Sequence, residues 1–160
     1  FLLKVGQEGT FPGDVKFRII GRMVRSVTID GTTYYWHEYL LYNPMVGFRW
    51  LVHSDNHWNF VEPVNPAEVE MPAAIGSGAR AGYNGHSFKI FQDAPASVRY
   101  VDGEFYWRVE QGETVRAVDY VAAPLMLSQE MTPGEMNWSA GVYMTNDEVE
   151  KIFGVSGLPR

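Results

Sequence analysis

Across residues 15–52 large apolar and polar side chains alternate, and only turn chemistry interrupts the pattern. Val15, Phe17 and Ile19 share one face of "VKFRII", and "SVTID" repeats the arrangement with Val27 and Ile29. A period of two marks a pleated strand, because successive side chains of a strand point to opposite faces. The following run, "TTYYWHEYLLY", places Tyr34, Trp36, Glu38, Leu40 and Tyr42 on one face and Tyr35, His37, Tyr39 and Leu41 on the other. Both faces are largely apolar, so each is expected to be covered. Asp30-Gly31 joins the two runs, and Asp-Gly is a preferred dipeptide for a two-residue hairpin because both central residues take positive φ. "GFRWLV" follows the "NPMVG" turn as another strand. A chain that opens this way is restricted to antiparallel β structure.

In "WLVHSDNHWNF", residues 50–60, His53 and His57 stand four apart between two tryptophans. On a helix the two imidazoles would share a face, but Trp, Val and Phe would then be scattered around the helix with no coherent apolar side. Ser54, Asp55 and Asn56 bond readily to nearby backbone, and the last two tolerate left-handed conformations, so the segment reads as a hairpin.

Sliding the chain against itself by 71 residues (88 − 17 = 71) brings Phe17, Ile19, Ser26, Val27, Tyr35 and Trp36 onto Phe88, Ile90, Ser97, Val98, Tyr106 and Trp107. "IDG" at 29–31 and "VDG" at 101–103 lie one residue out of that frame. The expectation is a duplication in which each copy is a strand, an Asp-Gly hairpin and an aromatic strand ending in Trp. "TNDEVEKIFG" is the one clear helix, with Thr145 and Glu148 forming a capping box, Gly154 ending it, and Val149, Ile152 and Phe153 docking on the sheet.

These readings predict a mainly β, single domain spanning 1–160: an antiparallel barrel or sandwich of two pseudo-repeated halves, with about nine to eleven strands and a short C-terminal helix. The first half covers about 1–64, a Pro/Gly/Ala-rich crossover about 65–85, and the second half about 86–154. The opening "FLLKVG" and the closing "GVSGLPR" are read as the ends of a domain excised from a longer protein. At this length a folded domain buries roughly two-thirds of the surface its unfolded chain exposes, enough for a core without staples.

The net charge of −6 and the lack of any Lys/Arg run argue against a nucleic-acid partner. Zero Cys excludes disulfides, thiolate metal sites and a Cys nucleophile. No apolar run of about 18 residues occurs, so no direct membrane insertion by this chain is expected.

The tail "YVDGEFYWRVEQGETVRAVDYVAAPLMLSQEMTPGEMNWSAGVYMTNDEVEKIFG" resembles the second half of the bacterial domain of unknown function 4178 family, and "LKVGQEGTF", "FRIIGRMVRS" and "YYWHEYLLYNPMVGFRWL" resemble its first half. The resemblance spans essentially the whole chain. Trp36, Glu38 and Tyr39 match its pattern in the first half; Gly103, Trp107, Asp119, Tyr120, Pro124, Ser128, Glu130, Glu135, Trp138, Ser139, Gly141 and Tyr143 match it in the second. It implies a domain of a larger bacterial protein, sometimes joined to a second copy, a zinc ribbon or membrane spans, and sometimes found beside polyamine-biosynthesis or membrane-stress proteins. The expected location is cytoplasmic, with tethering at the membrane through other parts of the parent. The family brings no established reaction.

Three functional classes remain. The leading one is a non-catalytic binding or scaffold module that contacts a protein partner or other domains of its own polypeptide, with no cofactor. The second is a pocket for a cationic metabolite such as a polyamine, built from Glu38, Glu130, Glu135, Trp138 and Tyr143, since carboxylates and aromatic faces both attract cations. Against it stands the reading that Glu130 and Glu135 pair with Arg22, Arg25 or Arg108 and hold loops to the barrel. The third and weakest is a metal-dependent hydrolase using His37, His53 and His57. Ser128 is a poor nucleophile candidate, because "MLSQE" lacks the glycines of a nucleophile elbow.

Overall fold

A computed structural model describes residues 1–160. Its strands are β1 (Glu8–Phe11), β2 (Val15–Ile29), β3 (Thr32–Asn43), β4 (Gly47–Ser54), β5 (His57–Val64), β6 (Arg80–Tyr83), β7 (His86–Gly103), β8 (Thr114–Ala122), β9 (Leu125–Thr132) and β10 (Glu135–Met144). One helix, α1 (Asn146–Phe153), follows.

Hydrogen-bonded neighbours run β1-β2-β3-β4-β5-β10-β9-β8-β7-β6, and β2 also pairs with β7. Removing β1 and β6 from the ends leaves a closed antiparallel barrel of eight strands. Closure of this kind leaves no free edge within the ring. β1 and β6 are short strands hung outside it, on β2 and β7.

The two halves, β1–β5 and β6–β10, meet at two seams, β2 with β7 and β5 with β10. The repeat frame is visible in the register: β2 bulges between Ile19 and Gly21, and β7 bulges between Ile90 and Gln92, each 71 residues on. Beyond that point the copies diverge. Val101-Asp102-Gly103 is not a hairpin turn but the end of β7, and Tyr106 and Trp107 lie in the connection to β8 rather than on an aromatic strand. The reason is close packing at the seam. Gly21 and Gly103 are paired there; a Cβ on Gly103 would collide with the Ile20 carbonyl, and one on Gly21 with the Glu104 carbonyl and the Phe105 ring. The second glycine is therefore spent on a backbone crossing.

The local turn readings hold. Asp30 and Gly31 both have positive φ between β2 and β3, as do Asp55 and Asn56 between β4 and β5, so "WLVHSDNHWNF" is a hairpin. Pro124 occupies the turn between β8 and β9. In α1, the Thr145 hydroxyl accepts from the Glu148 amide, the Glu148 carboxylate accepts from the Thr145 amide, and Gly154 takes the left-handed conformation.

Two apolar cores lie on the outer faces of the ring. The first gathers Phe17, Ile19, Tyr39, Leu41, Leu51 and Trp58 beneath Leu3, Val149, Phe153 and Leu158. Here α1 crosses β1 at Gly9, where Ile152 and Phe153 come too close for any Cβ. The second core gathers Val64, Phe88, Val118, Tyr120, Leu127 and Trp138, with Val69, Ile75 and Ala79 of the connection between the halves packed on it. Strand alternation then turns Trp36, Glu38 and Leu40 toward the lumen. No helix is long and apolar enough to cross a membrane.

Candidate functional site

Arg25 stands where β2 faces the lumen, between the buried Met23 and Val27. Its Nη1 and Nη2 donate to Glu130 Oε2 and Oε1 at 2.9 and 3.0 Å, a two-pronged contact. Glu130 is on β9, and β7 and β8 intervene along the shorter path around the ring. The pair therefore spans the lumen and does not run along the sheet. Arg25 Nη1 also donates to Glu38 Oε2 at 3.2 Å, and Trp36 Nε1 donates to the same oxygen at 2.7 Å. Beside them the Ser128 hydroxyl donates to Asp119 Oδ1 at 2.7 Å.

Burial sets the electrostatics. The side chains of Arg25 and Glu38 are 8% and 13% exposed, whereas that of Glu130 is 40% exposed and meets solvent. Burial pushes the Glu38 carboxyl above the usual range despite Arg25, with the Glu130 charge adding to the effect. Asp119 is also raised, mainly by burial; the Ser128 hydrogen bond opposes the shift and the Glu130 charge reinforces it. Burial opposes the charge on Arg25, but the two carboxylates outweigh it and hold the guanidinium protonated. One cation thus serves two carboxylates.

A row of rings lies next to this cluster. Tyr42 packs on Phe48 at 4.9 Å, Phe48 on Tyr106 at 4.4 Å, Tyr106 on Trp107 at 4.4 Å, and Trp107 on Trp50 at 5.5 Å. Tyr106 and Trp107 come from the β7–β8 connection and remain 57% and 37% exposed. Trp50 lies opposite Leu40, two residues along β3 from Glu38, which places the row beside the ion cluster; burial raises the Tyr106 phenol, and the negative charges of Glu130 and Glu38 raise it further.

A family model described as Domain of unknown function (DUF4178) matches residues 4–146. The chain belongs to the DUF4178 family. No curated protein matches it, and no solved structure does. Of the residues that carry the DUF4178 resemblance, Trp36, Glu38, Asp119, Ser128 and Glu130 meet in the lumen.

The DUF4178 barrel brings together only two of the five residues expected to form a cation pocket, Glu38 and Glu130. Glu135 is exposed at the start of β10, opposite Thr132, where Asn137 donates to it at 3.4 Å. Trp138 points the other way, into the second outer core. Tyr143 is 42% exposed and lies 5.8 Å from His57, ring to ring. Of the three arginines weighed as partners, Arg25 binds Glu130, while Arg22 pairs with Asp102 and Arg108 with Glu110. The sequence signal for Arg25 is a lone cation inside the apolar alternation Met23, Arg25, Val27.

His37 and His53 are direct cross-strand neighbours, 6.4 Å apart between ring centres, but His57 lies at the hairpin tip. Burial lowers both His37 and His53, so both stay neutral near pH 7. No three His, Cys, Asp or Glu side chains gather in a metal-holding arrangement.

Proposed function

We propose that this DUF4178 domain is a non-catalytic binding or scaffold module of a larger bacterial protein, and that the aromatic row at the lumen is its contact surface. The observation that carries this reading is the exposed run Tyr42, Tyr106 and Trp107 on a closed barrel. Contiguous exposed aromatic area is characteristic of interaction sites, and barrel mouths are frequent places for them. The inner carboxylates argue the same way. Glu38 and Glu130 are both engaged by Arg25, so they are better placed to fix the barrel than to move protons. The partner is another protein or another domain of the same polypeptide.

Hydrogen–deuterium exchange on the intact parent protein tests this reading against the isolated domain. Residues 42–48 and 104–110 should be more protected in the parent or its complex. Equal exchange in every state removes the reading.

A second reading, an organic cation such as a polyamine held beside Glu130, is favoured by that carboxylate's exposure and by the single arginine facing two acids. Spermidine should then raise the melting temperature of the wild type and not of Glu130→Gln, with zinc and chelator as controls.

A further inference from the structure

A closed antiparallel ring sets its connections alternately at its two mouths. The β3–β4 turn (44–46), the β7–β8 connection (104–113) and the β9–β10 turn (133–134) therefore share one mouth, and the β2–β3, β4–β5 and β8–β9 turns share the other. The aromatic row lies at the first mouth, where Tyr42 leads into the β3–β4 turn and Tyr106 and Trp107 belong to the β7–β8 connection. Met45 and Val46 of the same turn extend its apolar surface, and Met45 is 92% exposed. The rim of this mouth is acidic. Glu104, Glu110 and Glu113 are exposed along the β7–β8 connection, Glu135 is exposed at the start of β10, and Glu130, two residues from the end of β9, meets solvent just inside. The arginines close by are already committed: Arg108 to Glu110, Arg18, opposite Tyr42, to Glu8, and Arg25 to Glu38 and Glu130. The mouth thus joins an aromatic centre to a surplus of negative charge.

That charge selects the occupant. A nucleic acid or an anionic membrane would meet repulsion. A second copy of the chain, docked through the same patch on both, would set one acidic rim against another. What complements rings bordered by carboxylates is a cation carried on a polypeptide. Arginine suits the place better than lysine, because its flat guanidinium stacks on aromatic faces while its N–H groups fork onto carboxylate oxygens.

The barrel already makes this arrangement once. The Arg25 guanidinium lies 5.8 Å over the Trp36 ring while it holds Glu38 and Glu130. A carboxylate has about four lone-pair positions, and Glu130 spends two of them on Arg25, so its solvent-facing side can take a further donor. We propose that the aromatic row receives an arginine of the partner protein, its guanidinium stacked on Tyr106 and Trp107 and its N–H groups shared between Glu130 and the acidic rim. This rests on the reading of the row as a contact surface and names what that surface recognises.

Fluorescence anisotropy of labelled, end-blocked peptides on the 160-residue chain tests the assignment. The reference peptide carries an arginine between two leucines, and its counterparts carry lysine or the neutral isostere citrulline at that place. The arginine peptide should bind saturably, the citrulline peptide about tenfold more weakly, and the lysine peptide in between. Trp107→Leu lies in a connection outside the strands, leaves the Arg25 pairs intact, and should weaken the arginine peptide about tenfold. Glu130→Gln should weaken it too and narrow the gap between the arginine and citrulline peptides. No saturable binding, equal binding of the arginine and citrulline peptides, or binding unmoved by both variants would each overturn the proposal. Displacement by less spermidine than unlabelled arginine peptide would also overturn it and give the mouth to a free polyamine. Protection of residues 42–48 and 104–110 in the parent, without a preference for the arginine peptide, would leave the contact surface standing and remove the arginine alone.

Discussion

Arg25 on β2 holds Glu130 on β9 through both terminal guanidinium nitrogens, a contact across the lumen between strands that are not neighbours in the sheet. Removing one partner of such a pair strands the other charges, and that loss typically exceeds the net worth of the pair. Arg25→Leu leaves Glu38 and Glu130 facing each other without a cation and should cost about 3 kcal/mol, the lower end for buried pairs because Glu130 is partly exposed. Combining it with Glu38→Leu and Glu130→Leu should recover most of the loss. Urea denaturation of the single and triple variants measures both, and a harmless Arg25→Leu would show that the pair does not brace the barrel.

The seam glycines differ from the turn glycines in a measurable way. Gly31 has positive φ and open space around it, so Gly31→Ala should cost only the conformational strain, about 1 kcal/mol. Gly21 and Gly103 also face backbone carbonyls that cannot yield, and alanine at either should cost about 3 kcal/mol or more and loosen the β2–β7 pairing. Urea titration together with amide exchange on β7 separates the two classes, and equal costs at Gly31 and Gly21 would contradict the packing argument.

The buried histidines should draw stability down on acidification through their range. His37 and His53 are lowered by burial in the fold, while in the unfolded chain they titrate near the ordinary 6.5. Between those values the unfolded chain binds more protons, so stability falls as pH drops, with a slope approaching about 1.4 kcal/mol per pH unit for each histidine that stays neutral. Glu38 and Asp119 act with the opposite sign, since raised carboxyls bind protons more tightly in the fold, and their effect extends upward from the ordinary carboxylate range. His37→Gln with His53→Gln should flatten the curve between pH 7 and pH 5; an unchanged curve would assign the effect elsewhere. The turn residue His57 should be replaceable by Gln with no measurable change.

The cap of α1 should matter beyond the helix itself, because the helix roofs the first core. Thr145→Ala removes the acceptor for the Glu148 amide and should cost about 1 kcal/mol. Amide exchange at residues 146–153 should rise with it, and a variant with wild-type stability would show that the helix is held by packing alone.

What could be read from the residues was local. The hairpin at Asp55-Asn56 and the capping box at Thr145 were readable because their chemistry lies within four residues of chain. The start of the repeat was readable because Phe17 and Ile19 reappear as Phe88 and Ile90 at positions whose backbone also repeats. Its continuation was misread because Asp-Gly serves a turn at residues 30–31 and a backbone crossing at 102–103, and a dipeptide does not say which. The five candidate pocket residues are divided for a similar reason. Glu130 and Glu135 flank a tight turn, but the register sets Glu130 against Asn137 and Glu135 against Thr132, one inside the barrel and one at its rim. Trp138 sits one residue past Asn137, and in a strand one residue reverses the face.

The two seams have a consequence for how such a molecule can be divided. Neither half closes alone: β1–β5 would leave β2 and β5 without their neighbours, and β6–β10 would leave β7 and β10. A chain cut between Val64 and Arg80 should therefore behave as complementary fragments that reassemble when mixed, and the intact chain amounts to a dimer whose subunits are tied by a single covalent tether.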